Sequence, residues 1–73
     1  YDFDELMSEF RKMIAQIQDA TGDDFTKKWA PKITAITDKY LGKGKKVNDC
    51  TADQVEQLVL IVDDLKEAVG EGL

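Results

Sequence analysis

The segment from Cys50 to Gly70 constrains the fold of this 73-residue chain most strongly, because it carries the signals of a complete helix. Thr51 and Gln54 have the Thr-x-x-Gln spacing of a capping box at a helix N-terminus. Gly70 follows the last apolar residue, a position where glycine commonly ends a helix. Between these signals, apolar residues recur at helical spacing and predict one buried face: Val55, Leu58, Val59, Val62, Leu65 and Val69.

The apolar run 58–62 is wider than this single face. At about 100° per residue, Leu60 points almost away from the buried face and Ile61 lies at its edge. We therefore expect Leu60 and Ile61 to form an outer apolar strip that contacts a partner. The alternative is ordinary: isolated surface leucines are common, and the buried arc of a helix in a small bundle can be wide.

A first helix is predicted at about 3–20, with Asp2 as its N-cap and Gly22 as its stop. Its apolar residues step by three and four throughout, which is typical of an amphipathic helix. These residues are Phe3, Leu6, Met7, Phe10, Met13, Ile14 and Ile17.

A second helical region is predicted at about 24–41, ending before Gly42, and Pro31 interrupts it. Proline is unfavourable inside a helix but suits its first turn. The region therefore either bends at Ala30-Pro31 or consists of a short turn at 24–29 followed by a helix that begins at Pro31. Trp29, beside this joint, is expected to fill the space where the helices meet.

These elements predict an all-α fold, a small three-helix bundle whose second helix is bent or split at Pro31. We expect one domain over residues 1–73, with helices at about 3–20, 24–41 and 52–69. The chain begins at Tyr1 rather than at a methionine, so we expect it to be part of a longer protein.

The net charge of −5 conceals three segments of different sign. Residues 1–26 carry seven acidic and two basic side chains, and residues 47–73 carry seven acidic side chains and one lysine. Residues 27–46, in contrast, carry seven lysines and one aspartate. Such asymmetry points to a charged partner, although a basic helix packed between two acidic helices would explain it equally.

The most basic part of this middle segment is the run Gly42-Lys-Gly-Lys-Lys46. It is not a phosphate-binding P-loop, because it follows a helix rather than a strand and no Ser or Thr comes after a lysine. Its lysines could instead contact phosphates of single-stranded DNA, or they could be solvated and pair with acidic neighbours. The DNA-contact candidates are Lys39, Lys43, Lys45 and Lys46.

The residue inventory argues against an enzyme. The chain has no histidine, so it lacks the commonest general base and metal ligand, and Ser8 has no partner for a catalytic triad. Cys50 cannot form a disulfide within the chain, which is typical of a reducing compartment such as the cytoplasm; its place before a helix N-terminus favours a lowered pKa. No apolar run is long enough to span a membrane. We expect no cofactor and no bound metal.

The run Lys39-Tyr-Leu-Gly-Lys-Gly-Lys-Lys-Val-Asn-Asp-Cys-Thr-Ala-Asp-Gln-Val-Glu-Gln-Leu58 resembles C-terminal segments of phage-encoded recombination proteins. These include RecA-like ATPases associated with single-strand annealing, and the annealing proteins themselves. The resemblance implies a non-catalytic accessory domain that contacts another protein or the rest of its own chain, with the loop lysines facing DNA. The alternative is a self-associating module with no role in nucleic-acid binding.

Overall fold

The computed structural model describes residues 2–72, and three α-helices account for most of them. These are α1 (Phe3–Thr21), α2 (Ala30–Leu41) and α3 (Val55–Gly72). Short turns of π-helix (Phe25–Trp29) and 3-10 helix (Val47–Asp49 and Ala52–Gln54) lie between them. No strand occurs between residues 2 and 72. The all-α three-helix fold is therefore confirmed.

The predicted helix ends are mostly correct because they depend on local hydrogen bonds. The Asp2 carboxylate accepts hydrogen bonds from the amides of Asp4 and Glu5 at the start of α1. Gly22 and Gly42 end α1 and α2, both with positive φ. Before α3, Gln54 Oε1 accepts a hydrogen bond from the Thr51 amide at 3.1 Å, as a capping box requires.

The break before α2 takes the form of a π-helical turn over Phe25–Trp29. The amide of Ala30 bonds to the carbonyl of Phe25, five residues back, instead of four. Pro31 then lies in the first turn of α2. A wider turn relieves the clash between a proline ring and the carbonyl four residues earlier, which a regular α-helix could not avoid. The predicted interruption beside Pro31, a bend or a split, is thus correct, and its geometry is a π-helical turn that runs directly into α2.

The core lies where the inner face of α3 meets α1 and the Trp29 turn. Trp29 is only 3% exposed, as predicted for a side chain at the helix junction. Val47, from the loop before α3, also turns inward and is buried. The remaining buried apolar side chains come from α1 and α3: Leu6, Met7, Met13, Ile17, Leu58, Ile61, Val62 and Leu65.

Two predictions for α3 are wrong. Ile61 is 0% exposed and belongs to the core, so it cannot form an outer strip with Leu60. The reason is that α3 packs against both α1 and α2, which covers a wider arc of its surface than one helix neighbour would. Gly70 also does not end α3, since the helix continues to Gly72. The last turn lies against Trp29, whose ring is 3.2 Å from where a Cβ of residue 72 would lie.

The packing is uneven between the three helices. α3 makes extensive contacts with α1 and with α2, whereas α1 and α2 make few contacts with each other. The side of the bundle opposite α3 is therefore open between α1 and α2, and the loop that follows α2 lies at this opening.

Candidate interaction groove

The loop after α2 holds its lysines outward while it returns the chain to the core. Gly42 and Gly44 have φ values of 98° and 82°, which other residues rarely adopt. The amide of Gly44 donates to Oδ1 of Asp38 at 3.4 Å, which ties the loop to the last turn of α2. Burial of Val47 then anchors the far end of the loop. Lys43, Lys45 and Lys46 lie between these fixed points and are all exposed.

An open groove of about 520 Å³ lies between α1, α2 and this loop. We call it the lysine groove. Phe10 of α1, Ile33 of α2 and Val47 of the loop give it an apolar surface, and Thr34 and Thr37 line it beside them. Its rim is formed by the loop residues Lys43, Gly44, Lys45, Lys46 and Asn48, together with Asp38. None of its lining residues comes from α3.

The rim of the lysine groove is predominantly positive. It carries three ammonium groups and a single carboxylate, that of Asp38, which already accepts a hydrogen bond from the Gly44 amide. Within residues 2–72, no ion pair involves Lys43, Lys45 or Lys46. An apolar surface beside unpaired lysines can bind a ligand that combines an apolar group with negative charge.

Lys39, the fourth predicted DNA contact, lies apart from the other three. Its Nζ is 3.8 Å from Oδ2 of Asp64 on α3 and 5.1 Å from the centre of the Tyr40 ring. Tyr40 and then Asp64 raise the pKa of Lys39 above its ordinary value. The Tyr40 hydroxyl donates to the same Asp64 oxygen at 2.7 Å. Lys39 therefore pairs with an acidic neighbour, which was the alternative to DNA contact for this lysine.

A second surface lies on the outer side of α3. Leu60 is 46% exposed, the one large apolar side chain left exposed in the described part of the chain. Glu56, Asp63 and Glu67 are exposed as well and lie four, three and seven residues from Leu60, so all four share one side of the helix. We call this surface the acidic leucine face. The sequence had predicted its leucine but not its charged surroundings.

The thiol of Cys50 is partly buried in this fold. Partial burial, and secondarily the Asp49 carboxylate, raise the pKa of its thiol, contrary to the lowered pKa expected from its position. Its Sγ lies 3.9 Å from the carbonyl oxygen of Lys46. Between residues 2 and 72, no three Cys, Asp or Glu side chains are grouped so that they could hold a metal ion.

The lysine groove was not predicted, because Phe10 fits the amphipathic pattern of the first helix and was expected on its buried side. Phe10 and Ile33 both lie at the edge of the core and are only half-buried. Thr37, which the sequence analysis did not single out, is buried and donates to the carbonyl of Thr34 at 3.0 Å. The available signal was a pair of threonines, Thr34 and Thr37, three residues apart in α2 just before a lysine-rich loop.

Comparisons with known proteins add one similarity. The chain is 31% identical over 70 residues to the SPbeta prophage-derived uncharacterized protein YorG of Bacillus subtilis (strain 168). The match covers 96% of this chain but only 20% of that relative, so the chain spans about a fifth of its length. No family model and no solved structure matches the chain. None of the described helices has the length and apolar character needed to cross a membrane. The similarity supports the expected connection with phage, while recombination and DNA binding stay predictions.

Proposed function

We propose that this chain is a non-catalytic helical accessory domain of a longer phage DNA-recombination protein, and that it binds an acidic protein segment in the lysine groove. The single observation that carries this proposal is an apolar groove rimmed by three exposed lysines that form no ion pair with any residue between 2 and 72. The prophage relative, of which the chain matches a fifth, supports the phage context and the longer parent chain.

The groove favours an amphipathic acidic helix for a physical reason. Apolar side chains of such a helix would cover Phe10 and Ile33, which are only half-buried and lie beside the buried Val47. Its carboxylates would lie beside the loop lysines, where opposite charges steer the encounter and fix the orientation of the helix. Helix-in-groove binding of this type is a common mode of peptide recognition.

The test uses a synthetic helical peptide that has leucine at every third or fourth position and glutamate on its flanks. Titrated into the labelled chain, it should shift the NMR resonances of Phe10, Ile33, Thr37 and Val47. The variant K43Q/K45Q/K46Q should weaken binding by about tenfold or more. The matched control K12Q/K27Q/K28Q removes the same charge from exposed lysines outside the groove and should bind as the parent does. Equal binding by the two triple variants would contradict the proposal.

Single-stranded DNA is the second candidate ligand, favoured by the same three lysines, which have no acidic partner in the described part of the chain. A labelled oligothymidylate in fluorescence anisotropy would then bind at low salt, and its log Kd would change with log salt by about 0.7 per phosphate contacted. The K43Q/K45Q/K46Q variant would bind more weakly and with a smaller slope. Absence of binding at low salt would reject DNA as a ligand.

The assignment to recombination depends on the parent protein. A nucleotide-binding or strand-annealing core elsewhere in the parent chain would support it. In that case, K43Q/K45Q/K46Q in the full-length protein should reduce strand annealing, whereas K12Q/K27Q/K28Q should not. A parent without any DNA-processing domain would contradict the assignment while the groove proposal still stood.

A further inference from the structure

We infer that the occupant of the lysine groove is the acidic leucine face of a second copy of this chain, so that copies associate head to tail. This inference rests on the proposed function, because it names the acidic segment that the groove would bind. Two surfaces of one molecule support it, because each has an apolar centre and their charges are opposite.

The two surfaces have complementary charges. The lysine groove has three ammonium groups around an apolar surface, and none of them forms an ion pair within residues 2–72. The acidic leucine face brings three exposed carboxylates, those of Glu56, Asp63 and Glu67, around Leu60. In a second copy, Leu60 could enter the groove while its acidic neighbours approach the lysine rim. Within one molecule Leu60 stays 46% exposed, and among residues 2–72 the three loop lysines form no ion pair.

The two surfaces cannot meet within one copy of the chain. The groove is lined by residues of α1, of α2 and of the loop after α2, and none of its lining residues comes from α3. The acidic leucine face points away from the buried side of α3, on which Leu58, Ile61, Val62 and Leu65 lie. The two surfaces thus belong to opposite sides of the bundle, and only another molecule can join them.

This placement also determines the symmetry of the assembly. Contact between two different surfaces is heterologous, and each added copy leaves a free groove at one end and a free leucine face at the other. The assembly therefore grows beyond a dimer, into a ring or an open chain. A symmetric Leu60-to-Leu60 dimer would bring six carboxylates together and would stop at two copies.

The experiment measures the mass of the 73-residue chain by sedimentation equilibrium up to about 1 mM, a range that covers weak interfaces. We expect the average mass to pass that of a dimer as concentration rises, and to fall when salt is added. Two variants then block one surface each. K43Q/K45Q/K46Q removes the charges of the groove, and Leu60→Lys replaces the apolar anchor with a charge that the lysine rim repels. Both changes are at exposed positions, and circular dichroism verifies that the variants remain helical.

The decisive sample is the mixture of the two variants. Each alone should be monomeric, but together they retain one intact groove and one intact leucine face, so they should form a 1:1 complex that grows no further. A mass that is independent of concentration in the parent would overturn the inference. So would a mixture that stays monomeric, or association that Leu60→Lys abolishes and the groove variant does not affect. If the synthetic acidic helix binds the groove while the chain stays monomeric, the proposed function stands and this inference alone fails.

Discussion

Gly42 and Gly70 have opposite effects on stability, and the neighbouring residues in the sequence do not show which effect each has. Gly42 has a φ of 98° and donates its amide to the carbonyl of Asp38 at the end of α2. Gly70 lies inside α3, is exposed, and has open space where a Cβ would be added. Residue 42 needs to be glycine because its φ is positive. At residue 70, glycine only makes the helix less stable than another residue would.

Substitution of both glycines by alanine should therefore change stability in opposite directions. Gly70→Ala should raise the free energy of unfolding by about 0.5–1 kcal/mol, the difference in helix propensity. Gly42→Ala should lower it by about 1 kcal/mol or more, because alanine is strained at positive φ. Urea denaturation followed by circular dichroism measures both. A loss of stability in Gly70→Ala would mean that α3 ends at Gly70 after all.

The thiol of Cys50 offers a prediction on reactivity. Burial and the Asp49 carboxylate raise its pKa, so less thiolate is present at any given pH than in an unfolded chain. Alkylation by iodoacetamide at pH 8 should be slower in the folded protein than in urea, and its rate should rise with pH over a higher range. Asp49→Asn removes the secondary cause and should bring part of the rate back. Mass spectrometry follows the reaction, and equal rates in folded and unfolded protein would contradict the expectation.

The residues that could be predicted are those whose role is local. Asp2, Gly22 and the Thr51–Gln54 pair act through hydrogen bonds within four residues, and the sequence pattern is sufficient to identify them. Gly70 and Ile61 were predicted wrongly because their roles depend on distant partners. The last turn of α3 lies on Trp29, and Ile61 is covered because two helices flank α3.

Between helices, the link from α2 to α3 through Tyr40 and Asp64 can be tested directly. Tyr40→Phe removes a hydroxyl that donates to Asp64 at 2.7 Å in a part-buried setting. The free energy of unfolding should fall by about 0.5–1.5 kcal/mol. Asp64→Asn serves as the control, because an amide oxygen still accepts from Tyr40 while the exposed Lys39 pair, worth little in water, is lost. Thermal denaturation that does not distinguish Tyr40→Phe from the parent would show that this hydrogen bond contributes nothing.

The second helical region shows which features of a helix its sequence can predict and which it cannot. Pro31 made an interruption certain, and either a bend or a separate turn satisfied the rule against proline in a helix interior. The π-helical turn that the structure adopts keeps the chain helical on both sides and places Trp29 in the core. That choice depends on packing against α1, which the sequence of α2 does not contain.

The lysine groove could be predicted only in part for the same reason. The loop lysines were identified, because glycines and lysines after a helix mark an exposed basic turn. The apolar surface of the groove was not identified, because it depends on α1 and α2 making few contacts with each other. The segregation of charge along the sequence was visible, but which surfaces it would form depended on how the helices are oriented in the bundle.

At the scale of the whole domain, the free energy of unfolding tests whether Ile61, and not Leu60, belongs to the core. A domain this small has a net stability of only a few kcal/mol, so one core side chain is a large share of it. Ile61 is fully buried and its neighbour Leu60 is 46% exposed. Ile61→Ala should cost about 2–5 kcal/mol and leave much of the protein unfolded at 37 °C. Leu60→Ala should change stability by no more than about 0.5 kcal/mol.

Ile61→Val keeps this comparison measurable even if the alanine variant does not fold. It removes a single methylene group and should cost about 0.5–1.5 kcal/mol, within the range that urea denaturation can resolve. Leu60→Ala is the matched control, because it removes more apolar atoms from the adjacent position. If Leu60→Ala were the more destabilising of the two, then Leu60 and not Ile61 would belong to the core. The acidic leucine face, and the head-to-tail association inferred from it, would lose their apolar anchor.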